Sequence, residues 1–190
     1  ILQGIVAEIT HLLSARGASV ILHNEALHKA EATTSYGVDA KIRTVRYPLA
    51  DSLAGWVARE RQSLRVPRLT AQEWPVVWEL AKQFVPEPEP VAVLLVPLRV
   101  QGKVLGSLEA IWNPGYLITE HDERRLEALA DQAALAITNA RLIEEKERAV
   151  QAAQASEARY RELFENANDA IITFTVDGVL TSVNRGFEAM

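Results

Sequence analysis

No cysteine occurs among the 190 residues. That absence removes disulfides, thiolate metal sites, cysteine nucleophiles and thioether-attached cofactors together. It also suits a reducing compartment. Positive charge is in deficit, with 20 Lys and Arg against 25 Asp and Glu, so the net charge of −5 argues against a nucleic-acid surface. No apolar run approaches the roughly 20 residues of a membrane span. The longest, VAVLLVPL at 91–98, has the length of a strand. Four histidines without cysteine give a metal no constellation. There is no Ser/His/Asp set and no glycine-rich phosphate loop; QGIVAEITH carries a lone glycine. What is present is ordinary for a globular chain: 48% hydrophobic and 24% charged residues, enough to build a core. The chain opens on Ile1 and shows no signal peptide. It reads as a cytoplasmic excerpt of a longer protein, whose membrane anchor, if it has one, lies outside this stretch.

Residues 1–16 place Ile1, Ile5, Ile9, Leu12 and Leu13 on one face at helical spacing, with Gly17 as the expected stop. ASVILHNE and HKAEATTSYG follow as strands. DSLAGWVARERQ reads as a short helix capped by Asp51 or Ser52, with Leu53, Val57 and Ala58 on one face. SLRVPRL is a short strand broken by Pro67. A short helix is expected over AQEWPVVWELAKQF, then a proline-rich loop, VPEPEP. The clearest unit is a hairpin, VAVLLVPLRVQGKVLGSLEAIW, turning at Gln101-Gly102. Its first run is apolar nearly throughout, which predicts a central strand covered on both faces.

The stretch 119–167, nearly fifty residues, contains no Gly or Pro. Thr119 with Asp122 resembles a capping box, Asp standing where Glu or Gln is usual. Leu126, Leu129, Ala133, Ala136, Ala140 and Ile143 follow a seven-residue repeat, and Val150 continues it. A continuous helix here is on the order of 70 Å long. Its first half can pack on a sheet. Its second half, EEKERAVQAAQASEARYRE, is too polar for a core and too regular for a loop, which predicts pairing with a copy of itself.

The order of these elements resembles the GAF domain. Two stretches carry the resemblance: YPLADSLAGWVARERQSLRVPRL, and the run from VLLVPL through the hairpin to NARL. The closing stretch, RYRELFENANDAIITFTVDGVLTSVNRGFEAM, resembles the start of a PAS domain, with an apolar strand, an Asp177-Gly178 turn and Val-Asn-Arg leading into the next helix. About a third of such a domain is present, so the exposed apolar face of AIITFTV is expected to be disordered or to pack on a partner chain or on the exit helix. The resemblance implies an α/β fold: a central antiparallel sheet of about six strands with long helices on one face. It divides the chain into a GAF domain (1–142), a signalling helix (143–158) and an incomplete PAS segment (159–190).

GAF domains share a fold and differ in what they bind, so each use has to be tested on residues. Covalent bilin attachment and thiol-based methionine sulfoxide reduction lack their cysteine. Against the cyclic-nucleotide pattern, Asn113 and Asp122-Glu123 are in place, but Pro114 and Ile118 replace the Lys and Phe; Asn and Asp-Glu here also serve to cap a helix and close a turn. Haem would need an axial ligand from His11, His23, His28 or His121, none with a supporting pattern. Both cofactors are disfavoured, and no other is named. Elements bordering the pocket of GAF folds carry Tyr36, Arg43, Tyr47 and Trp56, while Trp74 and Trp78 are spaced to share a helix face. An aromatic concavity with one Arg suits a small planar or anionic ligand; alternatively the tryptophans fill a core. Glu109, interrupting the apolar SLEAIW, is a polar handle if it faces the pocket.

The expected role is therefore non-catalytic and regulatory. A small molecule at the GAF site, with no nucleic-acid or membrane contact by this stretch, would bias a homodimer held by the N-terminal and exit helices. Leu126, Leu129, Ala133, Ala136, Ala140, Ile143 and Val150 would form the seam. The parent is expected to be a bacterial sensor histidine kinase of a two-component phosphorelay, or a diguanylate cyclase. The alternative is a ligand-free GAF domain serving as a dimerising spacer.

Overall fold

The computed structural model describes residues 2–24, 28–37, 46–50, 52–82 and 88–189. The chain forms two compact units, Ile1–Asn139 and Ala140–Met190.

The first unit opens with α1 (Leu2–Leu12), which turns Ile5, Val6 and Ile9 inward. It ends earlier than expected. Ser14 takes a left-handed φ of 48°, and Ala15 N donates to Thr10 O at 3.1 Å. This six-to-one bond closes the helix as a Schellman-type end. Gly17 is not the stop; it opens β1 (Gly17–Asn24). Then come β2 (Lys29–Tyr36), β3 (Arg46–Pro48), α2 (Leu53–Glu60), β4 (Leu64–Leu69), α3 (Pro75–Lys82), β5 (Val91–Val100), β6 (Lys103–Trp112) and α4 (Glu120–Glu165).

The six strands make one sheet in the order β3-β2-β1-β6-β5-β4, antiparallel at every pairing. The sequence did not locate β3, which is three residues long and exists through its pairing with β2. Pro67 does not break β4. The strand lies at the sheet edge, and its pairing slips between Val66 and Leu69, where a missing N–H is tolerated. The β5–β6 turn has positive φ at both Gln101 (48°) and Gly102 (78°), as a two-residue type I′ hairpin requires.

Alternation along β5 puts Leu94 and Val96 into one apolar cluster and Val93 and Leu95 into another on the opposite face. The first cluster lies beneath α1 and the start of α4, joining Val6, Ile9, Leu108, Trp112, Leu126, Ala133 and Ile137. The second joins Ile21 and Ala30 to Leu53 and Val57 of α2 and Val66 and Leu69 of β4. Ser52 caps α2, its Oγ accepting from Gly55 N at 3.0 Å. A Cβ at Gly55 would collide with the Leu49 carbonyl, so glycine lets α2 lie against that loop.

Thr119 and Asp122 bond reciprocally at the start of α4: Thr119 N donates to Asp122 Oδ2 at 2.8 Å, and Asp122 N to Thr119 Oγ1 at 3.2 Å. Beyond this cap, Leu126, Leu129, Ala130, Ala133, Ala134 and Ile137 are buried on the sheet. The seven-residue series is thereby divided. Leu126, Leu129 and Ala133 lie in their own domain's core, which takes them out of any seam with a second chain. Ala136 is half-buried and Ala140 exposed; Ile143 and Val150 are exposed at 58% and 45%. The reason is geometric: over so few turns, a seven-residue repeat and a 3.6-residue face select the same positions.

The second unit contains the remainder of α4, where Phe164 is buried and stacks on Tyr160 with ring centroids 5.8 Å apart. A hairpin of β7 (Ile172–Phe174) and β8 (Leu180–Val183) follows, then α5 (Arg185–Glu188). Gly178, at φ 83°, donates to Thr175 O at 3.0 Å, so the turn falls at the expected Asp177-Gly178. The stretch forms a hairpin in the single chain. Its Ile172, Phe174, Val176 and Leu180 are exposed.

Candidate functional site

The second apolar face of the sheet, beneath α2 and beside α3, collects most of the polar residues that the core does not explain. In β6, Leu108, Ala110 and Trp112 join the first cluster, while Ile111 packs on the second. Alternation therefore turns Ser107 and Glu109 toward the second face. Glu109 stands opposite Ser19 of β1 and Leu95 of β5, and Ser19 stands opposite Ser35 of β2. Ser19 Oγ donates to Ser35 Oγ at 3.0 Å, both side chains being buried. Ser107, one step along the strand, is completely buried, and its Oγ has no hydrogen-bond partner among the described residues.

Glu109 is half-buried. Enough protein surrounds the carboxyl that loss of hydration raises its pKa from 4.5 to about 7. His23, further along β1, is opposite Ala30 and so belongs to the same face.

The expected aromatic set is only partly assembled here. Trp56 on α2 and Trp74 pack against the second cluster, half-buried. The helix begins at Pro75, so Trp74 precedes it rather than sharing a helical face with Trp78. Its carbonyl accepts from Trp78 N at 3.0 Å. Trp78 is half-buried on α3 and is not among the residues packed on the second cluster. Tyr47 lies in β3 opposite Ala30. Tyr36, at the end of β2, is exposed. Arg43 lies outside the described residues. The serines were missed at the sequence level. Their signal was a small polar residue two places before Glu109 in an otherwise apolar strand.

The Asp122-Glu123 positions are occupied structurally, while Asn113 is exposed. Asp122 holds Thr119 and accepts from the Tyr116 hydroxyl at 3.3 Å. Burial first, then the Asp122 charge, pushes the Tyr116 phenol up. Glu123 pairs with Arg65, whose Nε donates at 2.6 Å. His11 and His121 are exposed. Among the described residues, no group of three or more His, Asp or Glu could hold a metal, and no helix is long and apolar enough to cross a membrane. A separate concavity of about 390 Å³ opens between the end of α1 and the β6–α4 loop, lined by Ser14, Arg16, Trp112, Asn113 and Tyr116.

The GAF domain family matches residues 1–137, and a PAS domain family matches residues 158–190. No curated protein matches the chain. Among solved structures, the chain is similar to the GAF-B domain of DevS from Mycobacterium smegmatis, at 24% identity over 76% of this chain and 95% of that one, with a TM-score of 0.59. It is similar to the GAF domain of a phosphoenolpyruvate-protein phosphotransferase from Coxiella burnetii, at 18% identity, 76% and 84% coverage and a TM-score of 0.62. It is also similar to residues 122 to 287 of a methyl-accepting chemotaxis protein, at 18% identity, 75% and 88% coverage and a TM-score of 0.60. At these identities the likeness is one of fold.

Proposed function

The chain belongs to the GAF domain family, a sensory and regulatory fold of signalling proteins that is generally non-catalytic, and we propose that this chain senses a small molecule and relays the signal through a helix pair. One observation carries this reading. Helix α4 is a structural part of the GAF core, burying Leu126, Ala133 and Ile137, and the same unbroken helix runs to Glu165, inside the PAS match. A ligand on the far face of the sheet that favours one arrangement of that face would bias the element leading into the next module. It can do so only by its differential affinity for two arrangements.

The exposed apolar residues of α4, Leu142, Ile143 and Val150, support pairing of two copies over its polar half. The parent that would use such a relay is a sensor histidine kinase acting in a phosphorelay, or a diguanylate cyclase. A ligand-free spacer is the second reading; Trp56 and Trp74, packed on the second cluster, favour it by filling part of that face.

Native mass spectrometry of freshly purified chain separates the two. A dimer carrying a small molecule that is lost on denaturation is the result expected of a sensor. A dimer mass with nothing bound, and no thermal shift with any small-molecule panel, would favour the spacer. A monomer would remove the helix pair from both.

A further inference from the structure

The concavity of about 390 Å³ between the end of α1 and the β6–α4 loop is lined by residues of the first unit. Its size is that of a small-molecule site. Two of its lining residues, Trp112 and Tyr116, stack with ring centroids 4.9 Å apart and planes 2° from parallel. Both rings are tied by their polar ends: Trp112 Nε1 donates to the Leu13 carbonyl at 3.0 Å, and the Tyr116 hydroxyl to Asp122 Oδ1 at 3.3 Å. The rim is fixed as well. Asn113 to Tyr116 form a turn closed by Tyr116 N donating to Asn113 O at 3.3 Å, with Pro114 second and Gly115 third at φ 90°, the pattern of a type II turn. Ser14 holds the left-handed end of α1 at φ 48°. These groups are set before any ligand arrives, which lowers the ordering cost of binding.

Besides the tied Tyr116, the polar side chains that line the concavity are Ser14, Arg16 and Asn113, all exposed and so open to a ligand from solvent. Arg16 is the one charged side chain among the described lining residues. Its guanidinium disfavours a cation and offers a planar fork of N–H donors that matches a carboxylate. The Ser14 hydroxyl and the Asn113 amide can each donate to an anion's oxygens. An inorganic anion would leave the half-buried Tyr116 ring as it is, whereas a planar apolar body removes more of that ring from water. An aromatic carboxylate meets both demands.

We propose that this concavity binds a small aromatic carboxylate, with Arg16 as its counter-charge, Ser14 and Asn113 as hydrogen-bonding points and Tyr116 as its apolar contact. The site shares no lining residue with the second cluster. Its occupancy does not depend on whether the second face takes a ligand.

The test is two-dimensional NMR of the full chain, titrated separately with benzoate, benzamide, benzylamine and inorganic phosphate. Benzoate is expected to shift the amides of Ser14, Arg16, Asn113 and Tyr116 and the indole N–H of Trp112, at lower concentration than the other three. Arg16→Gln should weaken benzoate roughly fivefold or more and Arg16→Lys less. Arg141→Gln, at an exposed arginine of α4, should not weaken it at all. If benzamide binds as well as benzoate, or if Arg16→Gln in a folded chain leaves benzoate binding intact, Arg16 is no counter-charge and the proposal is wrong. Phosphate binding as tightly as benzoate would make this an inorganic-anion site and overturn the carboxylate assignment. Benzoate shifts confined to Ser107 to Ile111 would move the ligand to the second face, and no shift with any of the four compounds would leave the concavity without a ligand of this class. Either result overturns the proposal.

Discussion

Trp112 Nε1 donates a hydrogen bond of 3.0 Å to the carbonyl oxygen of Leu13, 99 residues earlier in the chain. Both residues are buried in the first cluster, and the bond ties the end of α1 to the end of β6. Trp112→Phe keeps an aromatic ring but leaves that carbonyl without its donor in a dry site. We expect a loss of roughly 1–3 kcal/mol, read as a lower urea midpoint at unchanged slope. An unchanged midpoint would mean that the bond contributes nothing to stability.

Glu109 makes the stability of the first unit depend on pH. Its folded pKa is raised above that of the unfolded chain by desolvation, from 4.5 to about 7. Between those values the folded state holds a proton that the unfolded state has released. Stability therefore falls as pH rises through this window and levels off above it. A rise of this size is worth at most about 3 kcal/mol, less because the side chain is only half-buried. Glu109→Gln removes the titration. Melting temperatures across the window should fall for the native chain and stay flatter for the variant, which becomes the more stable of the two on the alkaline side. An identical fall in both would assign the titration to another group.

The proposed helix pair makes Ile143 and Val150 its test positions. Both are exposed in the single chain, so Ile143→Asp with Val150→Asp should leave the first unit folded and convert a dimer to a monomer in light scattering. If the mass in solution does not change, pairing through this half of α4 is wrong.

Asn184 organises the second unit. Its side chain accepts from Ile171 N at 2.8 Å and Phe187 N at 3.1 Å and donates to Asp169 O at 2.9 Å. The residue is fully buried. Asn184→Ala deletes all three bonds, so amide exchange in β7 and β8 should rise severalfold or more while exchange in β5 and β6 stays unchanged. Equal protection in both proteins would show that the hairpin holds without this residue.

Much of the fold was legible because its causes are local. Gln101-Gly102 between two apolar runs specifies a hairpin by turn chemistry alone. Thr119 and Asp122 mark a helix start because side chain and backbone bond within four residues. The near-continuous apolar run of β5 marks a strand covered on both faces. Tertiary packing decided the rest. β3 is too short to announce itself and exists only through its register with β2. Ser14 ends α1 ahead of Gly17 because the chain must turn into β1. Leu126, Leu129 and Ala133 match a pairing seam and a core face equally well in sequence, and the sheet claims them. Glu109 in SLEAIW was either an outward residue or a pocket residue. Alternation makes those two choices equivalent along the strand, and only the helices and loops layered on the sheet determine which face is water and which is protein.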